Sequence, residues 1–301
     1  MSFWIATDAC CDLPSSFSKA QNQFVVVPMS YQLDSEVSEI DPYENDLDAK
    51  MHLFYQKLLN GSVSTTFQVN QHKWEEYLNP LCDTGHDILI LVFSSALSGT
   101  YASAIAAAEE LRRNYPDRTI RVVDTLSASL GQGMFVHHML GLRDSGKDIE
   151  ECYQYALDNA QRMIHWFTID DLHFLRRGGR VSGASAYIGS ILKIKPVMNV
   201  NPEGKLVPRE KVQGRKRSLH SLYEKAKKYA FEPEKQTFFI SHGDCAEDAA
   251  WLADKLKTEL GVPEVIISMI GPIIGSHSGP NTVALFFMGE DGAGRLTSVE
   301  N

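Results

Sequence analysis

Three clusters of side chains in the sequence have the chemistry to meet an anion. Residues 88–105 read ILILVFSSALSGTYASAI. An apolar run delivers Ser94, Ser95, Ser98 and Thr100 around Gly99, where a helix can begin. The first turn of a helix offers unpaired N–H groups and the positive end of its dipole, which suits negative charge. An N-cap needs only one hydroxyl. Four hydroxyls at one strand-to-helix junction therefore point to an oxyanion: a carboxylate, phosphate or sulfate. Ser98, Gly99 and Thr100 are the candidate contacts, with Ser98 the direct one. A second run, Ser62-Val63-Ser64-Thr65-Thr66-Phe67-Gln68, precedes the helical stretch Asn70–Leu78. By itself it reads as a helix start. The third cluster, Gly271 to Pro280, sets His277 among glycines, prolines and serines just before an apolar strand. A lone histidine is ordinarily structural, but glycines here would let the imidazole approach a ligand closely. His277 could pair with an anion, or act as general base to Ser98 in an esterase. The second option is weak. The segment has histidine where a G-x-S-x-G elbow has serine, and no orienting acid stands out.

Two basic segments invite other readings. Arg176-Arg177-Gly178-Gly179-Arg180 could bind phosphate or fix a contact between domains, but lacks the spacing of a P-loop. Arg215-Lys216-Arg217 opens a helical pattern, where cations oppose the dipole. A solvated face is the ordinary explanation; a docking surface for a partner is the functional one.

The elements that would position these groups can be read from periodicity. Phe3–Ala6, Phe24–Val27, Ile88–Phe93 and Ile120–Val123 are short apolar runs, as expected for strands buried on both faces of a parallel sheet. Helical patterns lie between them. One places Tyr101, Ile105, Ala108 and Leu111 on one face. Another places Ile149, Cys152, Tyr153, Ala156, Leu157 and Ala160 together, behind a capping box at Asp148 and Glu151. After residue 160 the texture changes. Trp166–Ile169 reads as a strand. Lys193–Val200 and Lys205–Val212 flank the turn Asn201-Pro202-Glu203-Gly204 and read as a hairpin. Gln236–Ser241, Val265–Ile270 and Val283–Met288 are further strands. Asp244 and Glu247 repeat the capping-box spacing before a helix that stops at Gly261 and Pro263. The expected architecture is α/β with two domains. Residues 1–162 form a three-layer, Rossmann-like domain with a mostly parallel sheet. Residues 163–290 form an α+β domain with a mixed or antiparallel sheet, and 291–301 a loosely ordered polar tail.

Bulk properties exclude several classes. The 301 residues carry a net charge of −9, which disfavours general nucleic-acid binding and permanent attachment to an anionic membrane. The five cysteines show no C-x-x-C spacing, so neither a disulfide framework nor a zinc site is expected. Cys10-Cys11 reads as two small, semi-buried side chains. With no signal-peptide pattern and no apolar run of ~20 residues, the expected location is cytoplasmic.

Taken in order along residues 3–289, these pieces resemble the DegV family of fatty-acid-binding proteins. The matching segments are Ile5-Ala6-Thr7-Asp8 with Asp12-Leu13-Pro14, Thr66-Phe67-Gln68, Ser94 to Tyr101, and Val122-Val123-Asp124-Thr125 with Gly131 and Gly133. They continue with Asp171 to Ser182, Ile194-Lys195-Pro196-Val197, and Gly275 to Pro280. The L-S-G-T-Y and G-G-R-V-S pieces, followed by the late glycine-flanked histidine, are the specific part. The resemblance implies one long-chain fatty acid as ligand and no other cofactor. Its carboxylate would be held by Thr66 and Ser98 with His277 nearby. It also implies a fatty acid kinase as partner, which makes the acyl phosphate for phospholipid synthesis, so that this chain carries lipid without catalysis of its own. Arg176, Arg177, Arg180, Arg215, Lys216 and Arg217 would be available for docking, and brief membrane contact is compatible with such a role. The chain departs from the family pattern at Ala9, Phe67, Val69, Gln213 and Asn281. The alternatives are a serine hydrolase using Ser98 and His277, and a carrier of another anionic metabolite.

Overall fold

A computed structural model describes residues 3–181 and 194–296. The chain opens with β1 (Trp4–Asp8), α1 (Ser15–Ala20), β2 (Phe24–Val27), β3 (Met29–Leu33), β4 (Glu36–Ile40), α2 (Leu47–Leu59) and β5 (Ser64–Thr66). It continues through α3 (Gln71–Asp83), β6 (Ile88–Val92), α4 (Thr100–Asn114), β7 (Ile120–Asp124), α5 (Leu130–Asp144) and α6 (Ile149–Asn159). Then follow β8 (Met163–Thr168), α7 (His173–Arg177), β9 (Ile194–Val200), β10 (Leu206–Gln213), α8 (Arg215–Tyr229) and β11 (Thr237–His242). The last elements are α9 (Ala246–Leu260), β12 (Glu264–Met269), α10 (Pro272–Ser278) and β13 (Val283–Met288).

The four apolar runs expected as buried strands form one sheet in the order β2-β1-β6-β7, with every pair parallel. β6, ILILV, is buried at every position, as a strand covered on both faces must be. The later strands form a mixed six-stranded sheet, β10-β9-β8-β13-β11-β12, in which only β11 and β12 run parallel. Its β9–β10 hairpin turns at the expected Asn-Pro-Glu-Gly sequence; Lys193 lies outside the described residues. A third, antiparallel sheet, β4-β3-β5, was not expected. β4 buries none of its residues and β5 has three residues, so neither carries a periodic apolar signal.

The parallel sheet and the facing side of the six-stranded sheet share one core, while the other face of the six-stranded sheet packs a second core under α8 and α9. Helix α5 lies between the parallel sheet and the six-stranded sheet, packing on β1 and β6 on one side and on β8, β11 and β13 on the other. Close approach depends on its glycines. A Cβ at Gly133 would meet the Cys11 carbonyl at 2.6 Å, and one at Gly131 would meet His165 Nε2 at 2.1 Å. One hydrophobic cluster runs from Ile5 and Leu91 through Phe135 to Phe167, Met198 and Phe286.

Several local expectations need correction. In α4 the expected face packs on the core, with Ala108 and Leu111 buried and Tyr101 and Ile105 partly so, but Thr100, Ala104 and Ala107 are buried as well. Leu157 of α6 faces out, 49% exposed. The Asp148–Glu151 capping box forms, but Asp244 does not cap α9. Its carboxylate instead meets His52 Nδ1 of α2 at 2.8 Å. The Cys10-Cys11 pair is fully buried rather than half-buried. The polar tail is not loose over residues 291–296. Arg295 is 1% exposed, and it donates from Nε to the Met163 carbonyl (2.8 Å) and from Nη1 to the Leu126 carbonyl (3.0 Å). Burial pushes its guanidinium down to about 9.

Candidate ligand cavity

The parallel strands point their carboxyl ends at a cavity of about 550 Å³, closed on the far side by the six-stranded sheet and by α10. That is the end at which open α/β sheets bind ligands, and the volume falls in the range of small-molecule sites. Most of the wall is apolar: Phe93, Phe167, Leu175, Ile273, Ala284 and Phe286 stand on it. Polar groups gather at Thr66, Gln68, Ser98, Arg180 and His277.

The polar cluster is assembled from distant parts of the chain. Thr66 ends β5 and its Oγ1 lies 2.9 Å from His277 Nε2 on α10. The same two elements are joined again by the residue before His277, where Ser64 Oγ and Ser276 Oγ stand 2.7 Å apart. Thus Ser64 to Thr66 is a strand clamped to α10, not a helix start; α3 begins later and is capped by Asn70. His277 belongs to a helix rather than to the flexible loop its glycines suggested. Burial, with the Arg180 and Arg177 charges beside it, pushes its imidazole down to about 4, so the ring is neutral at physiological pH. His277 Nδ1 has no hydrogen-bond partner among the described residues. Gly178 packs against that atom so closely that a Cβ there would lie 2.2 Å away.

The four hydroxyls of the serine-rich junction do not all turn to one place. Ser94 is buried and donates to the Gly204 carbonyl at 3.0 Å, tying the junction to the β9–β10 turn. Ser95 is exposed. Ser98 Oγ lies 2.9 Å from Thr100 Oγ1 and accepts from Thr100 N at 3.2 Å. Ser98 and Gly99 line the cavity, whereas Thr100 is buried behind Ser98. Gly99 is the N-cap of α4 and has no side chain to cap it, while Ser98 Oγ takes the first N–H of the helix. The Gln68 amide covers Gly99, where a Cβ would fall 2.2 Å from Oε1.

Of the basic residues, Arg180 belongs to the cavity wall and donates from Nε to the Leu97 carbonyl at 3.3 Å. Arg215 is held inward, bonded to Asp248 at 2.7 Å and 3.7 Å from Asp170, so it is a structural cation rather than a free docking charge. Arg176, Arg177, Lys216 and Arg217 are exposed. Among the described residues Ser98 and His277 are not hydrogen-bonded to one another, and His277 bonds to Thr66 rather than to a carboxylate.

Two further buried groups stand at or near the cavity, Asp12 named only by the family pattern and His165 by nothing in the sequence. Asp12 accepts from Ser129 Oγ at 2.5 Å and from Gly271 N at 3.0 Å, so one buried carboxylate ties the start of α5 to the start of α10. Burial pushes Asp12 up to about 7. His165, in the middle of β8, also lines the wall. Within a sequence such residues look like core. Among the described residues no group of three or more His, Cys, Asp and Glu side chains is placed to hold a metal, and no helix is long and apolar enough to cross a membrane.

Comparison with known proteins bears on the family and the fold. The family model described as "Uncharacterised protein, DegV family" matches residues 2–290. A DegV domain-containing protein of Clostridium perfringens is 41% identical over 288 residues, covering 96% of this chain and 98% of that protein. The solved structure of a DegV family protein from Thermus thermophilus, described by its fatty acid binding, superposes with a TM-score of 0.85 at 27% identity, over 96% of this chain and 100% of the other. A DegV lipid binding protein from Thermotoga maritima gives a TM-score of 0.83 at 26% identity, over 97% and 99% of the two chains. With its parallel sheet, its separate mixed sheet and the family pattern matched along nearly its whole length, the chain belongs to the DegV family.

Proposed function

We propose that this protein binds one long-chain fatty acid in the cavity, with the carboxylate at Thr66, Ser98 and His277 and the acyl chain along the apolar wall. The observation that carries this reading is one cavity with a mainly apolar wall and a polar cluster, Thr66, Gln68, Ser98, Arg180 and His277, beside the start of α4. The energetics suit that division. Burying a methylene contributes roughly 0.8 kcal/mol, so ~14 methylenes offer about 11 kcal/mol before ordering costs. The carboxylate needs several donors to offset its desolvation. Ser98 supplies a hydroxyl, α4 its first-turn N–H groups, and Arg180 a cation nearby. A neutral His277 that donates from Nε2 to Thr66 Oγ1 leaves the threonine proton free for the ligand. The likeness to the Thermus and Thermotoga proteins supports the same ligand class.

In this reading the protein is a cytoplasmic carrier without catalysis of its own. It presents the carboxylate to a fatty acid kinase for acyl phosphate formation. Exposed Arg176, Arg177, Lys216 and Arg217 are the basic residues available for such docking. The deciding experiment is native mass spectrometry of freshly purified protein, with extraction and identification of what is released. A stoichiometric fatty acid is the expected result. Protein that arrives bare and takes up neither palmitate nor oleate would overturn the reading.

A further inference from the structure

A neighbouring glycine makes room for the side chain of Gln68 at the rim of the cavity. Gln68 is exposed and lines the cavity, so a ligand there can reach it. Its side chain makes no hydrogen bond among the described residues. Its place is nonetheless specific. A Cβ on Gly99 would lie 2.2 Å from Gln68 Oε1, 3.0 Å from its Cδ and 3.1 Å from its Nε2, and these are the three nearest atoms it would meet. Gly99 has φ −73° and ψ 0°, a conformation that needs no glycine. The Gln68 amide, not the backbone, is what excludes a side chain at this position. Oε1 is the amide atom nearest Gly99, toward the first turn of α4, whose positive end suits a carbonyl oxygen. The NH2 group keeps two hydrogens to give.

That contact closes a ring around the head-group site. Thr66, bonded to His277, stands two residues before Gln68. Ser98 stands immediately before Gly99, and all of these residues share the cavity wall. Segments 66–68 and 98–99 thus meet at Gln68 and Gly99. Both are anchored: Val69, Leu97 and Thr100 are buried, and Phe67 N donates to the Ser30 carbonyl at 3.0 Å. Thr66, Ser98 and His277 are partly buried, whereas Gln68 and Gly99 are exposed. The amide therefore stands on the water side of the hydroxyls. A carboxylate offers about four lone-pair sites, more than two hydroxyls fill.

We propose that Gln68 is a further head-group residue: its amide N–H donates to the carboxylate from the solvent side, and Gly99 is there to seat it. The proposal rests on the fatty-acid reading above and adds a binding residue to that site. Gly99 acts through Gln68 and is a positioning residue.

The test is palmitate affinity of the delipidated full chain, measured by displacement of a fluorescent fatty acid. The proteins compared are the wild type, Gln68→Ala, Gly99→Ala and the double variant. Gln68→Ala should bind palmitate about three- to tenfold more weakly, the scale of one hydrogen bond. Gly99→Ala should lose as much, because its Cβ evicts the amide, while its melting temperature stays near that of the wild type. The double variant should lose no more than Gln68→Ala alone. A second measurement reads the carboxylate itself, by titrating the ¹³C signal of bound [1-¹³C]palmitate. In Gln68→Glu the added negative charge should raise the pKa of the bound acid above its wild-type value. Wild-type affinity in Gln68→Ala, a Gly99→Ala loss that persists undiminished in the Gln68→Ala background, or an unmoved titration in Gln68→Glu would each overturn the proposal. If palmitate binds tightly and the Gln68 variants match the wild type, only this inference falls and the carrier reading stands. If palmitate does not bind at all, both fall.

Discussion

Thr66 Oγ1 and His277 Nε2 stand 2.9 Å apart although 211 residues separate them in sequence. That bond joins the small antiparallel sheet to α10 and puts two polar groups at one end of a mainly apolar cavity. Its environment leads to the following expectations.

Removing either hydroxyl at the head-group site should weaken ligand binding. A hydrogen bond to a carboxylate is worth about 1.5–3 kcal/mol, so Ser98→Ala or Thr66→Ala should each lower fatty-acid affinity by about ten- to a hundredfold. Displacement of a fluorescent fatty acid measures this directly. Variants that keep full affinity would remove these side chains from the carboxylate site.

Gly178 is required by His277 rather than by its own backbone. Its φ of −73° is ordinary for any residue, yet a Cβ would sit 2.2 Å from His277 Nδ1. Gly178→Ala should therefore displace the imidazole and cost as much affinity as His277→Ala. In the double variant, where the obstructing ring is gone, the alanine should add little further loss of melting temperature. Two fully additive losses would show that Gly178 acts elsewhere.

Two buried groups give opposite pH dependences. His277 is pushed down to about 4, so between pH 4 and 6.5 the unfolded chain binds more protons and stability rises with pH. Asp12 is pushed up to about 7 from 3.8, so between those values the folded chain binds more protons and stability falls with pH. In the native protein the two slopes offset one another. Asp12→Asn removes the falling contribution, and its urea stability should climb more steeply from pH 4 to 6.5 than the wild type's. A slope that is unchanged or shallower would contradict the assignment.

Arg295 should matter for stability despite its position near the chain end. Arg295→Ala would leave the Met163 and Leu126 carbonyls and His165 Nδ1 without their donor, and would open a void. The expected cost is about 3 kcal/mol or more in urea unfolding, whereas most surface substitutions change stability by about 0.5 kcal/mol or less.

The parallel sheet was legible because its strands are short apolar runs, and such runs mean burial on both faces wherever they occur. The hairpin at Asn201–Gly204, the Asp148 capping box and the start of α4 were legible for the same reason: each is decided by residues a few positions apart. The family pattern picked out Thr66, Ser98 and His277, and the fold brings all three to one cavity. What the sequence left open depended on partners far away in the chain. Ser64 to Thr66 resembles a helix start until β3 and α10 claim it. Ser94 resembles an anion contact until the Gly204 carbonyl takes its hydrogen. Arg180 reads as part of a basic turn for phosphate, an interdomain contact or a partner, and Arg295 as part of a tail, yet one lines the cavity and the other is buried beside it. Local periodicity fixes which faces are apolar. Only the assembled structure decides which buried polar atoms find partners, because each pairing joins residues with no sequence relation, and that is where a ligand-binding cavity differs from ordinary core.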